Sequence, residues 1–299
     1  MTVHLGTNPI AWSNDDLPEL GGDTPLETCL AQAAQAGFSG IELGNKFPRE
    51  PAALTATLKP HGLRLVSGWY GAQLRERSVE DEIRAVQPHL DLLSAMACPV
   101  MVFAEVGGSV QGQRGTPLAN RPVMTDAEWR DYLPKNTALA EHMAARGVHL
   151  AYHHHMGTVI EKAHEVDRLM TGTPDTVGLL YDTGHLTFAG DVPSSVAERW
   201  ARRIVHVHAK DVRPEVMRQA IAERWSFLDA VIAGVFTVPG DGCVDFQQAL
   251  GPVARSGYAG WWIVEAEQDP ARAEPLAYAR LGHRHLTRTA EALNVGLAC

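Results

Sequence analysis

Tyr181-Asp182-Thr183-Gly184-His185 closes the apolar run 177–180 and precedes a new helix-like stretch. A carboxylate and an imidazole three residues apart, where a buried strand runs out, suit a divalent cation or an acid/base pair. Three other stretches have the same character: Ala151-Tyr152-His153-His154-His155, Val205-His206-Val207-His208-Ala209-Lys210-Asp211, and Trp262-Ile263-Val264-Glu265-Ala266-Glu267. In each, an apolar run ends in imidazoles or carboxylates. Such groups are costly to bury unless they are paired or bind a metal.

Working outward, the chain alternates strand-like apolar runs with amphipathic helix-like runs. The strands read as 3–12, 40–44, 63–68, 100–104, 148–155, 177–182, 204–208 and 261–265. Helical spacing follows each, including 159–170 after the fifth strand and one long segment, 214–233, after the seventh. Thr125 to Glu128 has a capping-box pattern and opens the helix after strand four. The Gly-rich loop 106–123 before it has the length of an active-site cover. Eight strand-plus-helix units without a composition break predict one domain, 1–299, folded as a single α/β (β/α)8 TIM barrel. The rival is a doubly wound open sheet, but no GxGxxG follows the first strand and there is no P-loop. In a barrel, active sites gather at the C-terminal ends of the strands, where these polar residues fall.

The formal charge of −9, from 35 acidic against 26 basic side chains, argues against a nucleic-acid partner. No apolar run is long enough for a membrane span, and the N-terminus does not read as a secretory signal. The four cysteines, Cys29, Cys98, Cys243 and Cys299, are scattered without a CxxC, which fits free thiols in a reducing cytoplasm. The sequence leaves the oligomeric state, homo-oligomer included, open.

Alternation along a strand allows His153 with His155, His206 with His208, and Glu265 with Glu267 to share a face. One of each pair can bind metal while the other handles substrate or supports a ligand. His154 alternates away from its neighbours. Other polar residues keep a structural reading beside the functional one. Lys210 and Asp211 also read as an ion pair at a loop start, and Glu42 as half of a buried salt bridge. Trp69 and Tyr70 read either as pocket walls or as a cap on the barrel layer. His283 and His285 read as solvated residues of the last helix.

On these motifs the chain resembles the xylose-isomerase-like barrel enzymes, the sugar phosphate isomerase/epimerase group that includes the class II AP endonucleases. The residues that carry the resemblance are His153, Asp182-Thr183-Gly184-His185, His206-Val207-His208-Ala209-Lys210-Asp211 and Glu265. Asn8-Pro9-Ile10, Trp12-Ser13-Asn14-Asp15-Asp16, Gly21-Gly22-Asp23-Thr24-Pro25 and Ile41-Glu42-Leu43-Gly44-Asn45-Lys46-Phe47-Pro48 are similar to the inosose dehydratases in particular. The resemblance implies a Mn or Co ion held by His153, Asp182, His208 and Glu265. It implies a base among His155, His185 and Glu267, with Lys46 or a histidine as the acid. It further implies a cyclitol ketone substrate, 2-keto-myo-inositol, dehydrated to a trihydroxycyclohexane-1,2-dione, with glutathione sometimes required. No glutathione site is legible. Many isomerases and epimerases of the group carry Glu-Asn-His where this chain has His153-His154-His155. That departure disfavours the alternative, a metal-dependent ketose isomerase or epimerase.

Overall fold

Eight parallel strands hydrogen-bond in sequence order, and the last returns to the first. In the computed structural model, which describes residues 2–298, they are β1 (Thr2–Thr7), β2 (Gly40–Leu43), β3 (Arg64–Ala72), β4 (Val100–Glu105), β5 (His149–His153), β6 (Val177–Asp182), β7 (Ile204–Ala209) and β8 (Trp261–Val264). Closure comes from the register His4 opposite Trp261 through Thr7 opposite Val264. The expected barrel is therefore present. Cys299 and Met1 lie outside the described residues. Cys29 and Cys98 are buried free thiols, and Cys243 is an exposed one. Among the described residues, no helix is long and apolar enough to cross a membrane.

Strand alternation sorts each side chain to the interior or to the helix layer. Ala151 and Leu180 pack with Val100 and Val102 inside the barrel, whereas Leu150, Tyr152, Leu179 and Tyr181 join the large cluster formed with the helices. By the same alternation His153 and Asp182 project inward. Lower in the interior, Trp261 packs with Val66 and Ile263. Gly40 makes room for it: a Cβ there would lie 2.5 Å from the indole ring.

Several boundaries differ from expectation, each for a local reason. β1 stops at Thr7 because Asn8 caps a single turn, its side-chain oxygen accepting the Ile10 N–H at 2.8 Å. β3 runs on to Ala72, since Trp69 to Ala72 pair with Val102 to Glu105. β5 stops at His153, and His155 instead donates its N–H to Ile160 across a tight loop. The helix after it spans Ala163–Gly172. It starts late because Glu165 accepts the N–H groups of Glu161 and Lys162, both at 2.9 Å, and holds them outside the helix. The segment 214–233 is two helices, Pro214–Ala222 and Phe227–Ala233. Between them Arg224 adopts a left-handed conformation and Ser226 caps the second helix. His283 and His285 are only part-exposed, packing edge-on against Phe38 and Phe246.

The capping box at Thr125 and Glu128 forms as expected. The preceding loop is tied down at several points. Val110 donates to the Gly157 carbonyl, Leu118 donates to that of Trp225, and Arg121 is buried against Glu161 and Glu165 at 3.2 and 2.8 Å.

Asp211 has no ion pair with Lys210. Its carboxylate accepts the N–H groups of Val212, Gly240, Gly242 and Val244 at 2.8–3.0 Å, tying the loop between the small Phe236–Thr237 strand and the next helix to the end of β7. Asp211→Ala leaves those donors without an acceptor, and denaturant unfolding is expected to show a loss of about 3 kcal/mol.

Candidate active site

Asp182-Thr183-Gly184-His185 shows how one motif builds a site wall. Asp182 ends β6, and its Oδ1 accepts the His185 N–H at 2.8 Å, capping the short helix Thr183–Phe188. That leaves Oδ2 facing the interior. Thr183 Oγ1 donates to the Lys210 carbonyl at 2.7 Å and accepts the Lys210 N–H at 3.1 Å, locking the ends of β6 and β7 together. Gly184 lets the Lys210 stem pass, because a Cβ would come within 2.5 Å of Lys210 Cγ. His185 then points into the cluster, fully buried.

His153, Asp182, His208 and Glu265 each present a ligand atom within one 4.8 Å sphere of mutual separation. Asp182 Oδ2 lies 3.6 Å from His153 Nε2 and 3.6 Å from His208 Nδ1. His208 Nδ1 lies 2.7 Å from Glu265 Oε2. His153 donates its Nδ1–H to the His154 carbonyl at 2.7 Å, which leaves Nε2 as a lone pair aimed at the cluster. Asp182 Oδ2 is buried without a hydrogen-bond partner, and Glu265 Oε2 is buried against His208 Nδ1 and the Lys210 ammonium. Donor atoms that converge from four strand ends in a mixed oxygen and nitrogen set, one of them an orphaned carboxylate oxygen, fit a divalent cation.

A second group lies beside the first. His155, His185 and Glu267 also place ligand-type atoms within 4.8 Å of one another. His155 donates Nδ1–H to the Met156 carbonyl at 2.8 Å, so its Nε2 is free to accept a proton. Burial, then the Lys210 ammonium, lowers its pKa to about 4, so it is a neutral imidazole near pH 7. Burial raises Glu267 to about 7, against the pull of Lys210. Lys210 is fully buried, 2.8 Å from Glu267, 3.1 Å from Glu265 and 3.6 Å from Asp182. Burial disfavours its charge, but these carboxylates hold its pKa above the ordinary lysine value. The ammonium also sits 2.9 Å from His185 Nε2, while Met156 N–H approaches His185 Nδ1 at 3.2 Å. A neutral imidazole has one lone pair, so these two donors compete for His185.

His153, His208 and Glu265 of the first group and His155 and Glu267 of the second border one cavity of about 180 Å³, which is also lined by Trp69, Arg49, Asp15, Asp16 and Gln111. Trp69 is 41% exposed and stands edge-on to His153 and His155, both at 5.7 Å between ring centres. It is a wall of the cavity, whereas Tyr70 turns outward to hydrogen-bond Glu82.

Of the residues singled out from sequence, His153, His155, Asp182, His185, His208, Glu265 and Glu267 come together here. Lys46 does not, and its expected place as an acid in the cavity is corrected. Its ammonium is exposed and donates to the carbonyls of Gly21, Gly22 and Thr24. Three residues past the end of β2, it follows the loop away from the barrel axis. Gln111 and Arg49 carried no signal in the sequence, because nothing in a loop's composition says which side chain will reach the axis. Lys210, given a structural reading beside a functional one, lies at the centre of the charge network.

His154 lies on the other side of β5, where its Nε2 approaches the Asp182 N–H at 3.3 Å. If His153 is one of the ligands, His153→Ala is expected to weaken Mn²⁺ binding by about 10-fold or more, since losing a ligand costs no less than losing a supporting residue. His154→Ala should change Mn²⁺ affinity far less, and Asp182→Ala should abolish binding while retaining the circular dichroism spectrum. Calorimetric titration of the three variants checks the ranking.

A family described as xylose isomerase-like TIM barrel matches residues 30–289. The chain is 51% identical over 299 residues to the rhizopine catabolism protein MocC of Rhizobium meliloti, covering 100% of this chain and 92% of that one. It is 46% identical over 289 residues to the inosose dehydratase of Geobacillus thermodenitrificans, covering 96% and 97% of the two chains. Among solved structures, it superposes on the IOLI protein, crystallised with a zinc atom, with a TM-score of 0.66 over 97% of each chain. At 12% identity that likeness speaks to fold alone. The chain belongs to the xylose isomerase-like TIM barrel family, in the group it forms with MocC and the inosose dehydratases.

Proposed function

We propose that the protein is a hydro-lyase that dehydrates a cyclitol ketone, 2-keto-myo-inositol, to a trihydroxycyclohexane-1,2-dione and water. The observation that carries this reading is the pairing of a four-donor cation cluster with a separate acid/base group on the wall of one cavity. The substrate class comes from relatives at 42–51% identity, most of which bear the name inosose dehydratase.

His153, Asp182, His208 and Glu265 would hold the cation; this donor set suits Mn, Co, Zn or Fe, and the family resemblance favours Mn or Co. When bound, such an ion supplies Lewis-acid polarisation of the substrate ketone. The chain's own groups perform the proton transfers. His155, a neutral imidazole with a free Nε2, takes the proton from the carbon next to the carbonyl. Glu267, whose raised pKa of about 7 leaves a large protonated fraction near neutral pH, delivers a proton to the β-hydroxyl as its C–O bond breaks, so that water leaves. The resulting enol of the product tautomerises to the dione. Lys210 offsets the negative charge of Asp182, Glu265 and Glu267 without reaching the cavity surface. Trp69 closes the apolar side of the cavity over the ring C–H face.

The alternative, a ketose isomerase or epimerase on the same cation, is disfavoured at the end of β5, where an imidazole stands in place of a second opposed carboxylate. Cytoplasmic localisation, expected from the scattered free cysteines, and a dependence on glutathione, expected from the family, belong to this reading too. Purified protein with 2-keto-myo-inositol and Mn²⁺ or Co²⁺ is expected to form the dione, followed by ultraviolet absorbance and mass loss of one water. Chelation should abolish turnover and re-addition of the ion restore it. Interconversion of ketoses without loss of water would replace the dehydratase by the isomerase reading.

A further inference from the structure

Glu42 is a buried carboxylate of the barrel interior with four side-chain donors, and nothing in the proposed chemistry uses it. It is the penultimate residue of β2 and is 2% exposed. Four side chains converge on it, from β3, from β7 and from the residue that follows β1. Ser67 Oγ donates at 2.5 Å, Asn8 Nδ2 at 2.7 Å, and the Nε2 atoms of His206 and His208 lie at 2.9 and 3.1 Å. A carboxylate is the acceptor-only group that satisfies four donors at once.

The consequence falls on His208. Its two ring nitrogens face different partners: Nε2 faces Glu42, and Nδ1 faces Glu265 Oε2 and Asp182 Oδ2. As a ligand to a cation the ring is a neutral imidazole and carries one proton. A proton on Nδ1 would lie in the 2.7 Å gap to Glu265 and block that lone pair. A proton on Nε2 leaves Nδ1 open to a cation.

We propose that Glu42 is a positioning residue that takes the Nε2–H of His208 and so presents the Nδ1 lone pair to the cation cluster. This rests on the cation reading above. It also assigns the neighbouring group Glu42, His206 and His208, whose ligand-type atoms lie equally close together. That group is a hydrogen-bonded support, and it does not hold a second ion. A carboxylate or carbonyl that accepts the second N–H of a liganding histidine is a common arrangement, and losing it weakens metal binding by about 10–100-fold.

In Glu42→Gln the amide keeps one acceptor oxygen for four donors, and its own NH₂ opposes them. His208 then loses its reason to hold the proton on Nε2. Calorimetric titration with Mn²⁺ is expected to show Kd raised by about 10–100-fold, with the stoichiometry of one ion per chain unchanged. Ser67→Ala removes one donor but keeps the charge and the His208 contact, so its Kd should match the wild type. A ¹⁵N-histidine spectrum of the wild-type protein loaded with Zn²⁺ should show the His208 proton on Nε2, a readout that needs no variant to fold. An unchanged Kd in Glu42→Gln, an equal loss in Ser67→Ala, two ions per chain, or a His208 proton on Nδ1 would each overturn the proposal. Failure of the wild-type protein to bind Mn²⁺ or Zn²⁺ would overturn the cation reading, and this proposal with it.

Discussion

Four carboxylates, Glu42, Asp182, Glu265 and Glu267, are buried at one end of the barrel with a single buried ammonium, Lys210, among them. Burying so much like charge is costly unless positive charge is supplied in place. The structure supplies part of it. Lys210 touches three of the four, and His208 bridges the fourth to the rest. The pKa shifts follow from this arrangement. Burial works against the charge on Asp182, yet Lys210 and the histidines hold its carboxyl below the usual range. Glu267, next to Glu265, goes the other way. Burial opposes a charge on His208, but Glu42 and Glu265 raise its pKa well above the ordinary histidine value. The remaining deficit of positive charge is what a divalent ion would meet.

The barrel makes this concentration tolerable. Parallel strands that each end in a polar residue bring those residues together only when the sheet closes, and closure is tight here because Gly40 leaves room for Trp261 beneath the site. The large outer cluster of strand and helix residues carries the apolar burial that stabilises the fold. The loop after β4 is held by the buried Arg121 with Glu161 and Glu165, and it places Gln111 at the cavity edge.

The short polar motifs divide their work atom by atom. Asp182 caps a helix with one oxygen and offers the other to the cluster. His153 gives Nδ1–H to a neighbouring carbonyl and points Nε2 inward. Glu42 gathers four donors while His208 turns its other nitrogen to the centre. In each case one hydrogen bond to the protein orients the atom that is left, which is how rigid strand ends achieve the precision a reactive site needs.

The residues that end buried strands were legible from the chain alone, because period-two alternation and the cost of burying unpaired polar groups both act locally. That is why the barrel, the inward direction of His153 against His154, and the convergence of Asp182, His208, Glu265 and Glu267 could be read before any coordinates. The rest depended on distances between segments remote in sequence. Lys46 follows a strand end as closely as several site residues do, yet its loop carries it to the carbonyls of Gly21, Gly22 and Thr24. Lys210 and Asp211 are adjacent and opposite in charge, yet one enters the carboxylate cluster and the other ties down a backbone loop. The start of the helix after β5 moved because Glu165 reaches back to two N–H groups. Pattern thus determined which strand ends carry the chemistry. Only closure of the barrel decided which neighbours each polar atom meets, since those partners lie on other strands and no local rule sets their separation.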